Sequence, residues 1–198
     1  MPNKKSRKLF DRLSPFYNRL YKRQHRNYAR IFHEMDHCNL SHFSTIIDVG
    51  CGNGAMASVF SEMGLKTYAV DHSIGMLRVA KSRRENANVR LCRGSIGSGL
   101  PFSDNSFDVV MAAFVAHGMN ADQRLLLYKE MKRVGKHLVI LHDYNGVRSV
   151  AISIAEFAEG GDYFKFIRVV KDELMDFFGN LEVIETDKHS SCYVCNIG

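Results

Sequence analysis

Apolar runs alternate with segments of helical periodicity from residue 45 to the end of the chain. Runs typical of buried strands lie at 46–49, 67–70, 89–92, 107–113 and 138–141. Two further runs, 181–186 and 192–197, are separated by a short turn, which favours a hairpin. Strands separated by helices are typical of a parallel sheet with right-handed crossovers. We therefore predict an α/β fold with a doubly wound, mostly parallel seven-stranded sheet that ends in an antiparallel C-terminal hairpin strand.

The intervening segments carry helix start and stop signals. Ser73 is a typical N-cap, and Gly64 and Gly135 are typical stop residues. Helices are accordingly predicted over 55–63, 73–84, 120–135 and 169–178.

A two-faced helix is predicted near the N-terminus. At about 100° per residue, one face gathers apolar and aromatic side chains: Tyr17, Leu20, Tyr21, Gln24, Tyr28, Ile31, Phe32 and Met35. The opposite face gathers basic ones: Arg19, Lys22, Arg23, Arg26 and Arg30. We predict that residues 1–40 form a basic amphipathic helical lid, docked on the C-terminal edge of the sheet of a domain at 41–198.

Composition and charge narrow the class of protein. Apolar residues make up 45% and charged residues 24%, which excludes a wholly disordered chain. No apolar stretch approaches the roughly 20 residues of a membrane span, and the polar N-terminus does not resemble a secretory signal. The five cysteines form an odd set that fits a reducing compartment, so we expect a cytoplasmic protein. The net charge of +6 is uneven, because residues 1–30 hold ten Lys or Arg and one acid.

The strongest chemical signal is the run DVGCGNG at residues 48–54, which lies between a predicted strand and a predicted helix. Glycines there permit a tight turn and let a ligand approach main-chain N–H groups. Asp71 follows Gly52 by 19 residues, the spacing at which an acid accepts ribose hydroxyls. An adenine dinucleotide or S-adenosylmethionine fits this frame. The Asp48 carboxylate favours the second, because it can hold an ammonium group and would repel a pyrophosphate.

These motifs resemble the class I S-adenosylmethionine-dependent methyltransferases. Residues 48–54 are similar to their first motif, 70–73 to the second and 94–110 to the third and fourth. The last run is similar to the type 11 branch, which includes the ubiquinone and menaquinone methyltransferases. The resemblance spans about residues 10–142 and implies a Rossmann-like fold with S-adenosyl-L-methionine as cofactor.

The resemblance also implies roles for individual residues. Gly50, Cys51 and Gly52 would line the methionine part, Asp48 would support its ammonium and Asp71, in a motif with His72, would bind the ribose. Ser95 and Ile96 would contact the adenine, and Ala113 would offer a carbonyl to the ammonium. Ser95 stands where the family usually has an acid, and the turn before the fifth strand, at 132–136, is shorter than usual.

A general base for methyl transfer would lie beyond the fourth or fifth strand. The available groups are His117 and Asp143 with Tyr144, and Tyr17 and Tyr21 could reach the same cleft from the lid. We predict methyl transfer to a small-molecule acceptor. An RNA or protein methyltransferase that uses the basic helix, and a nicotinamide-dependent oxidoreductase, remain alternatives. Nucleic acid is therefore a possible partner but not the favoured one, and the sequence does not indicate an oligomeric state.

Two patterns suggest metal binding, but we predict no metal site. Residues 33–37 spell H-E-x-x-H, the metalloprotease signature, yet both histidines fall on the basic face of the helical wheel. Cys192 and Cys195 spell C-x-x-C within a predicted strand, where positions three apart face opposite sides.

Overall fold

The computed structural model describes residues 20–32, 40–147 and 162–198. The strands are β1 Thr45–Val49, β2 Lys66–Asp71, β3 Arg90–Arg93, β4 Phe107–Ala113, β5 Gly135–Tyr144, β6 Glu182–Asp187 and β7 Ser190–Asn196. The helices are α1 over 20–32, α2 Ala55–Glu62, α3 Ile74–Lys81, α4 Ala121–Val134 and α5 Tyr163–Phe178. Short 3-10 turns lie at Leu40–His42, Arg84–Asn86, Ile96–Ser98 and Ala116–Gly118.

The sheet has the order β3-β2-β1-β4-β5-β7-β6. Strands β1 to β5 pair in parallel, whereas β7 is antiparallel to both β5 and β6. The predicted α/β fold and its antiparallel end are therefore confirmed. The strand order along the sheet reverses between β1 and β4, which makes this a topological switch point. Proteins of this fold class bind ligands in the crevice beyond the carboxyl ends of the strands at such a point.

Each face of the sheet carries its own apolar core. Ile47 and Val49 of β1 face a cluster that includes residues of α4 and α5, whereas Ile46 faces a cluster that includes residues of α1 and α2. The same alternation sends Cys192 to the α1–α2 face and Cys195 to the α4–α5 face. The prediction that these cysteines point to opposite sides of a strand is confirmed.

Asp108 links the amino-terminal ends of the three neighbouring strands β1, β4 and β5. Its carboxylate accepts hydrogen bonds from the backbone N–H groups of Ser44 (3.0 Å) and Thr45 (2.9 Å) and from Lys136 Nζ (3.2 Å). Burial raises the pKa of Asp108, but these bonds outweigh that effect and lower it to about 2. The start of β4 is thereby tied to the starts of β1 and β5.

Several predicted boundaries were wrong: α3 ends at Lys81 rather than at residue 84, β5 begins at Gly135 rather than at 138, and β7 begins at Ser190 rather than at 192. Two others have larger consequences. α5 begins at Tyr163 rather than at residue 169, because Tyr163, Phe166 and Ile167 extend its buried stripe by almost two turns. β5 continues to Tyr144 rather than ending at residue 141, because it pairs with β7 as far as Ser190. The second difference matters for function, since it places His142 and Asp143 on a strand instead of in a loop.

The side chains of α1 divide as the helical wheel predicts. Tyr21, Ile31 and Phe32 are buried, and the Phe32 ring packs on Phe60 of α2 with centroids 4.8 Å apart. Lys22, Arg23, Arg26 and Arg30 are exposed. The predicted contributions of Tyr17, Arg19, Met35 and residues 33–37 lie outside the described residues, and the lid itself stays a prediction. Within the described ranges, no helix is long and apolar enough to cross a membrane.

Candidate functional site

The loop after β1 turns sharply at glycines. The backbone N–H groups of Gly50 and Cys51 both donate to the Val70 carbonyl, at 2.8 and 3.1 Å. Gly50 has φ +78°, and a Cβ there would lie 2.6 Å from Val115 Cγ2. Gly52 also has positive φ (+53°), but a Cβ there would meet no atom within 4 Å. The loop therefore leaves open space beside Gly52, on the side that a bound ligand would use.

Asp71, the last residue of β2, connects this loop to β2 through a hydrogen bond. Its Oδ2 accepts from the Gly52 N–H at 2.9 Å and its Oδ1 accepts from the Ser73 N–H at 2.7 Å. His72 Nδ1 lies 3.5 Å from the same Oδ1. Burial raises the pKa of Asp71, and the backbone donors partly offset that rise. Each carboxylate oxygen keeps acceptor capacity for a ligand hydroxyl, since it has two lone pairs.

Asp48 is an acid without a counter-charge beneath the glycine loop. Its side chain is 1% exposed, and neither carboxylate oxygen has a hydrogen-bond partner of regular geometry. Burial, reinforced by the nearby Asp71 carboxylate, raises its pKa to about 8, while the Ala57 backbone N–H offsets only a small part. A cationic ligand group would stabilise the ionised carboxylate. The residues present therefore fit a cofactor that carries an ammonium.

The residues expected at the adenine and ammonium ends lie along the same edge of the sheet. Ser95 and Ile96 follow β3, where the Gly94 N–H donates to the Asp71 carbonyl at 3.1 Å. Ala113 is the last residue of β4 and pairs with His142 of β5. The predicted cofactor residues are therefore brought to the carboxyl ends of β1, β2, β3 and β4.

His117 and Asp143 form a hydrogen-bonded pair across the ends of β4 and β5. His117 Nδ1 lies 2.7 Å from Asp143 Oδ1, and Asp143 Oδ2 accepts from the backbone N–H groups of Ala116 (3.0 Å) and His117 (3.3 Å). Asp143 is fully buried, whereas the His117 side chain is 12% exposed. Because the carboxylate orients the ring through Nδ1–H, Nε2 is the nitrogen suited to accept a proton.

Aromatic rings surround this pair. Phe114, directly after β4, has φ +51°, which is unusual for a bulky residue, and its side chain is 36% exposed. Its ring centroid lies 5.1 Å from Tyr144, which in turn lies 4.8 Å from His117 and 5.1 Å from Tyr163. The rings beyond β4 and β5 therefore give the site an apolar wall, of which Phe114 is the most exposed part.

Helix α1 contacts the site at two places. Asn53 Nδ2, in the glycine loop, donates to Gln24 Oε1 at 2.7 Å. The Tyr28 ring packs on His142 of β5 with centroids 5.9 Å apart, and its pKa is raised by burial and then by the charges of Asp48 and Asp143. Tyr21 has a structural contact instead, because its hydroxyl donates to Ser58 Oγ at 2.9 Å.

Three residues that border the site were missed from the sequence: Tyr28, Phe114 and His142. Tyr28 was assigned only to the apolar face of α1, and nothing in the wheel separates a packing tyrosine from one near two acids. Phe114 follows the last residue of a predicted strand, which is a usable signal in this fold class. His142 was missed because β5 was predicted one residue too short to include it.

The comparisons with known proteins agree with this geometry. Residues 47–141 match the family described as "Methyltransferase domain". A demethylmenaquinone methyltransferase from Renibacterium salmoninarum is 37% identical over 91 residues, which is 46% of this chain and 36% of that protein. One from Staphylococcus epidermidis is 34% identical over 136 residues, 65% of this chain and 54% of that protein. The chain thus spans between about a third and about half of the length of these relatives.

The fold also matches solved structures. The crystal structure of a SAM-dependent methyltransferase from Aquifex aeolicus is similar, with a TM-score of 0.62 and 22% sequence identity over 86% of this chain and 98% of that one. At this identity the likeness shows the fold, and it agrees with the strand order described above.

Proposed function

Because the chain carries a class I S-adenosylmethionine-dependent methyltransferase domain, we propose that it is an enzyme that transfers a methyl group from S-adenosylmethionine to a small-molecule acceptor. The observation that carries the proposal is the pairing of two acids at one glycine loop. Asp48 is buried without a counter-charge beneath the loop, and Asp71 accepts a hydrogen bond from the loop while keeping acceptor capacity. The first suits an ammonium and the second suits ribose hydroxyls.

In this proposal the cofactor residues take the following roles, which their positions at the carboxyl ends of β1 to β4 support. Asp48 and the Ala113 carbonyl bind the ammonium, the backbone of 50–52 lines the methionine chain, and Asp71 with His72 binds the ribose. Ser95 and Ile96 contact the adenine. The bound sulfonium supplies an activated methyl group, so the protein's task is to align the acceptor, exclude water and remove a proton where the acceptor requires it.

The proton acceptor in this proposal is His117 Nε2, and Asp143 positions the ring and stabilises its protonated form. The 2.7 Å contact between Nδ1 and Oδ1, and the burial of Asp143, support this assignment. Tyr17 stays a prediction outside the described residues.

A small, apolar acceptor is supported by the aromatic walls and by relatives whose names refer to demethylmenaquinone. The nicotinamide alternative is not favoured, because the buried Asp48 gains a counter-charge from an ammonium, whereas a pyrophosphate would supply none and would keep the acid protonated. A macromolecular acceptor is not needed to account for the walls of the site, and the cytoplasmic location expected from the sequence stays a prediction.

Transfer of label from methyl-labelled S-adenosylmethionine tests the proposal. The protein would be incubated with a small-metabolite extract, an RNA fraction and a protein fraction. We expect label in a small, extractable compound, and a loss of about 100-fold or more in the rate for His117→Ala where the acceptor must lose a proton. His137→Ala, an exposed histidine at the other end of β5, is the control. Label found only in RNA or protein would contradict the acceptor class.

A further inference from the structure

His142 is a buried histidine that the reaction described above does not use. It lies on the α1–α2 face of β5, the face to which Leu138 and Ile140 also point. The residue is 1% exposed, and this burial lowers its pKa to about 4. At physiological pH the ring is therefore neutral, with one nitrogen as a hydrogen-bond donor and the other as an acceptor.

Thr186 fixes which nitrogen carries the proton. The Ser190 carbonyl oxygen can only accept, so its 3.0 Å contact assigns the single hydroxyl hydrogen of Thr186 to that bond, and Ser190 Oγ, at 2.9 Å, is then a donor to Thr186. The contact between the Thr186 hydroxyl and His142 Nε2, at 3.1 Å, must then have Nε2–H as the donor. The remaining nitrogen, Nδ1, is consequently a lone-pair acceptor.

Nδ1 of His142 is buried and has no hydrogen-bond partner among the described residues. Buried polar atoms in native proteins nearly always find partners, so an orphaned acceptor beside a candidate site is evidence for a ligand contact. Asp48, which points to the same face of the sheet as Ile46, also lacks a hydrogen-bond partner of regular geometry. Asp48 is accounted for by the cofactor, whereas His142 is not.

The position of Thr186 also indicates which way Nδ1 faces. The two nitrogens of an imidazole point away from each other, and Thr186 lies on β6, toward one edge of the sheet. Nδ1 therefore faces back toward β4 and α1. The rings packed on His142 from that side are Phe114, at 4.9 Å between centroids, and Tyr28, at 5.9 Å. Both rings border the candidate site.

We propose that His142 Nδ1 accepts a hydrogen bond from an O–H or N–H group of the methyl acceptor and so determines which acceptors bind. The inference rests on the proposed function, because it assigns a second contact within the same site. The acceptor reaches Nδ1 between Phe114 and Tyr28. In this proposal the Phe114 ring moves aside to admit the acceptor, since its backbone is strained and its ring is partly exposed. Ethers and other compounds that lack such a hydrogen cannot make this contact.

Two substitutions separate the functions of the two ring nitrogens. In His142→Gln the side-chain amide can still donate to Thr186, but no acceptor remains near Nδ1. In His142→Asn the amide oxygen stands near the place of Nδ1, whereas the Thr186 bond is lost. His137→Gln, an exposed residue at the other end of the same strand, controls for the substitution itself.

Binding of 1-naphthol to protein saturated with S-adenosylhomocysteine, measured by calorimetry, is the test. We expect His142→Gln to weaken naphthol binding about tenfold, and His142→Asn and His137→Gln to change it less than about threefold. 1-Methoxynaphthalene, which has no hydroxyl, should bind all four proteins equally. S-adenosylhomocysteine affinity should stay the same in all of them. A purely structural role of His142 would instead disturb the cofactor loop and change this affinity in the His142 variants.

A measurement on the unaltered protein guards against misfolded variants. In protein with ¹⁵N-labelled histidine, 1-naphthol should shift the Nδ1 resonance of His142 and 1-methoxynaphthalene should not. An unshifted Nδ1, equal naphthol binding by His142→Gln, or no naphthol binding to the unaltered protein would each overturn the inference. The proposed function is judged separately, by S-adenosylhomocysteine binding and by methyl transfer.

Discussion

At the scale of single residues, Asp48 links stability to pH. Its pKa of about 8 in the folded protein, against about 4 in an unfolded chain, means that folding holds a proton that the unfolded chain has released. The stability that this group contributes is therefore fully present below about pH 4 and is lost as the pH rises to about 8. Asp48→Asn stays neutral and should melt several degrees higher than the unaltered protein at about pH 8, with a smaller difference at about pH 5.

Asp108→Asn is a control of opposite sign for the Asp48 experiment. The pKa of Asp108 is lowered to about 2, so its contribution is present above about pH 4 and is lost as the pH falls toward 2. The asparagine variant should melt lower than the unaltered protein at neutral pH. An Asp48→Asn difference that does not grow with pH would contradict the assignment of Asp48 as a buried, unneutralised acid.

Single residues also show how far the sequence could predict the site. Asp48 and Asp71 were found because their spacing around a glycine loop is a property of the chain itself. The contact between His117 and Asp143 was not predicted, although both residues were, because the contact depends on the register between β4 and β5. The orphaned nitrogen of His142 depends on Thr186, 44 residues away, and no local pattern reveals it.

At the scale of elements, the accuracy of prediction followed the strength of the local signal. The seven strands were predicted from short apolar stretches, which are longest in β4 and only two residues long in β3 and β6. The carboxyl end of β5 was missed because His142 and Asp143 interrupt its apolar stretch with polar residues, which the pairing with β7 nevertheless keeps in the sheet. This extension places two polar residues on opposite faces of one strand, with His142 facing α1 and Asp143 facing His117.

Arg124 joins α4 to α5 and supports the loop that carries His117. Its fully buried guanidinium donates to Glu173 at 2.7 and 2.6 Å and to the Met119 carbonyl at 2.6 Å. Arg124→Ala leaves those acceptors unpaired and should lower the free energy of unfolding by about 3–5 kcal/mol. Denaturant titration would measure the loss. Lys129→Ala, an exposed position on the same helix, should cost less than about 0.5 kcal/mol, and equal losses in both variants would refute this role of Arg124.

At the scale of the whole molecule, charge is divided between the two edges of the sheet. Residues 74–93, from α3 to β3, hold six Lys or Arg and one acid. Residues 162–187, in α5 and β6, hold seven acids and three Lys or Arg. Since β3 and β6 are the outer strands, the molecule has a basic edge and an acidic edge. The candidate site lies between them, at the ends of the inner strands.

Charge reversal on α1 tests whether its exposed basic residues take part in the reaction. Lys22, Arg23 and Arg26 are exposed and form no ion pair with the described part of the chain. Their combined replacement by glutamate should leave the turnover of a small acceptor within about twofold, because the charges point away from the site. Initial rates at low and moderate salt would show it. A variant that loses its activity, while the unaltered protein is inhibited by salt, would indicate a polyanionic acceptor instead.

The central claim is that the glycine loop and Asp71 form an S-adenosylmethionine site, and calorimetry with S-adenosylhomocysteine tests it most directly. The unaltered protein should bind this ligand and should not bind NADH. Asp71→Ala removes an acceptor of two ribose hydroxyls, each hydrogen bond to a charged group contributing about 1.5–3 kcal/mol, so affinity should fall at least tenfold. Circular dichroism would confirm that the variant is folded. An unchanged dissociation constant in Asp71→Ala, or binding of NADH in place of S-adenosylhomocysteine, would contradict the account.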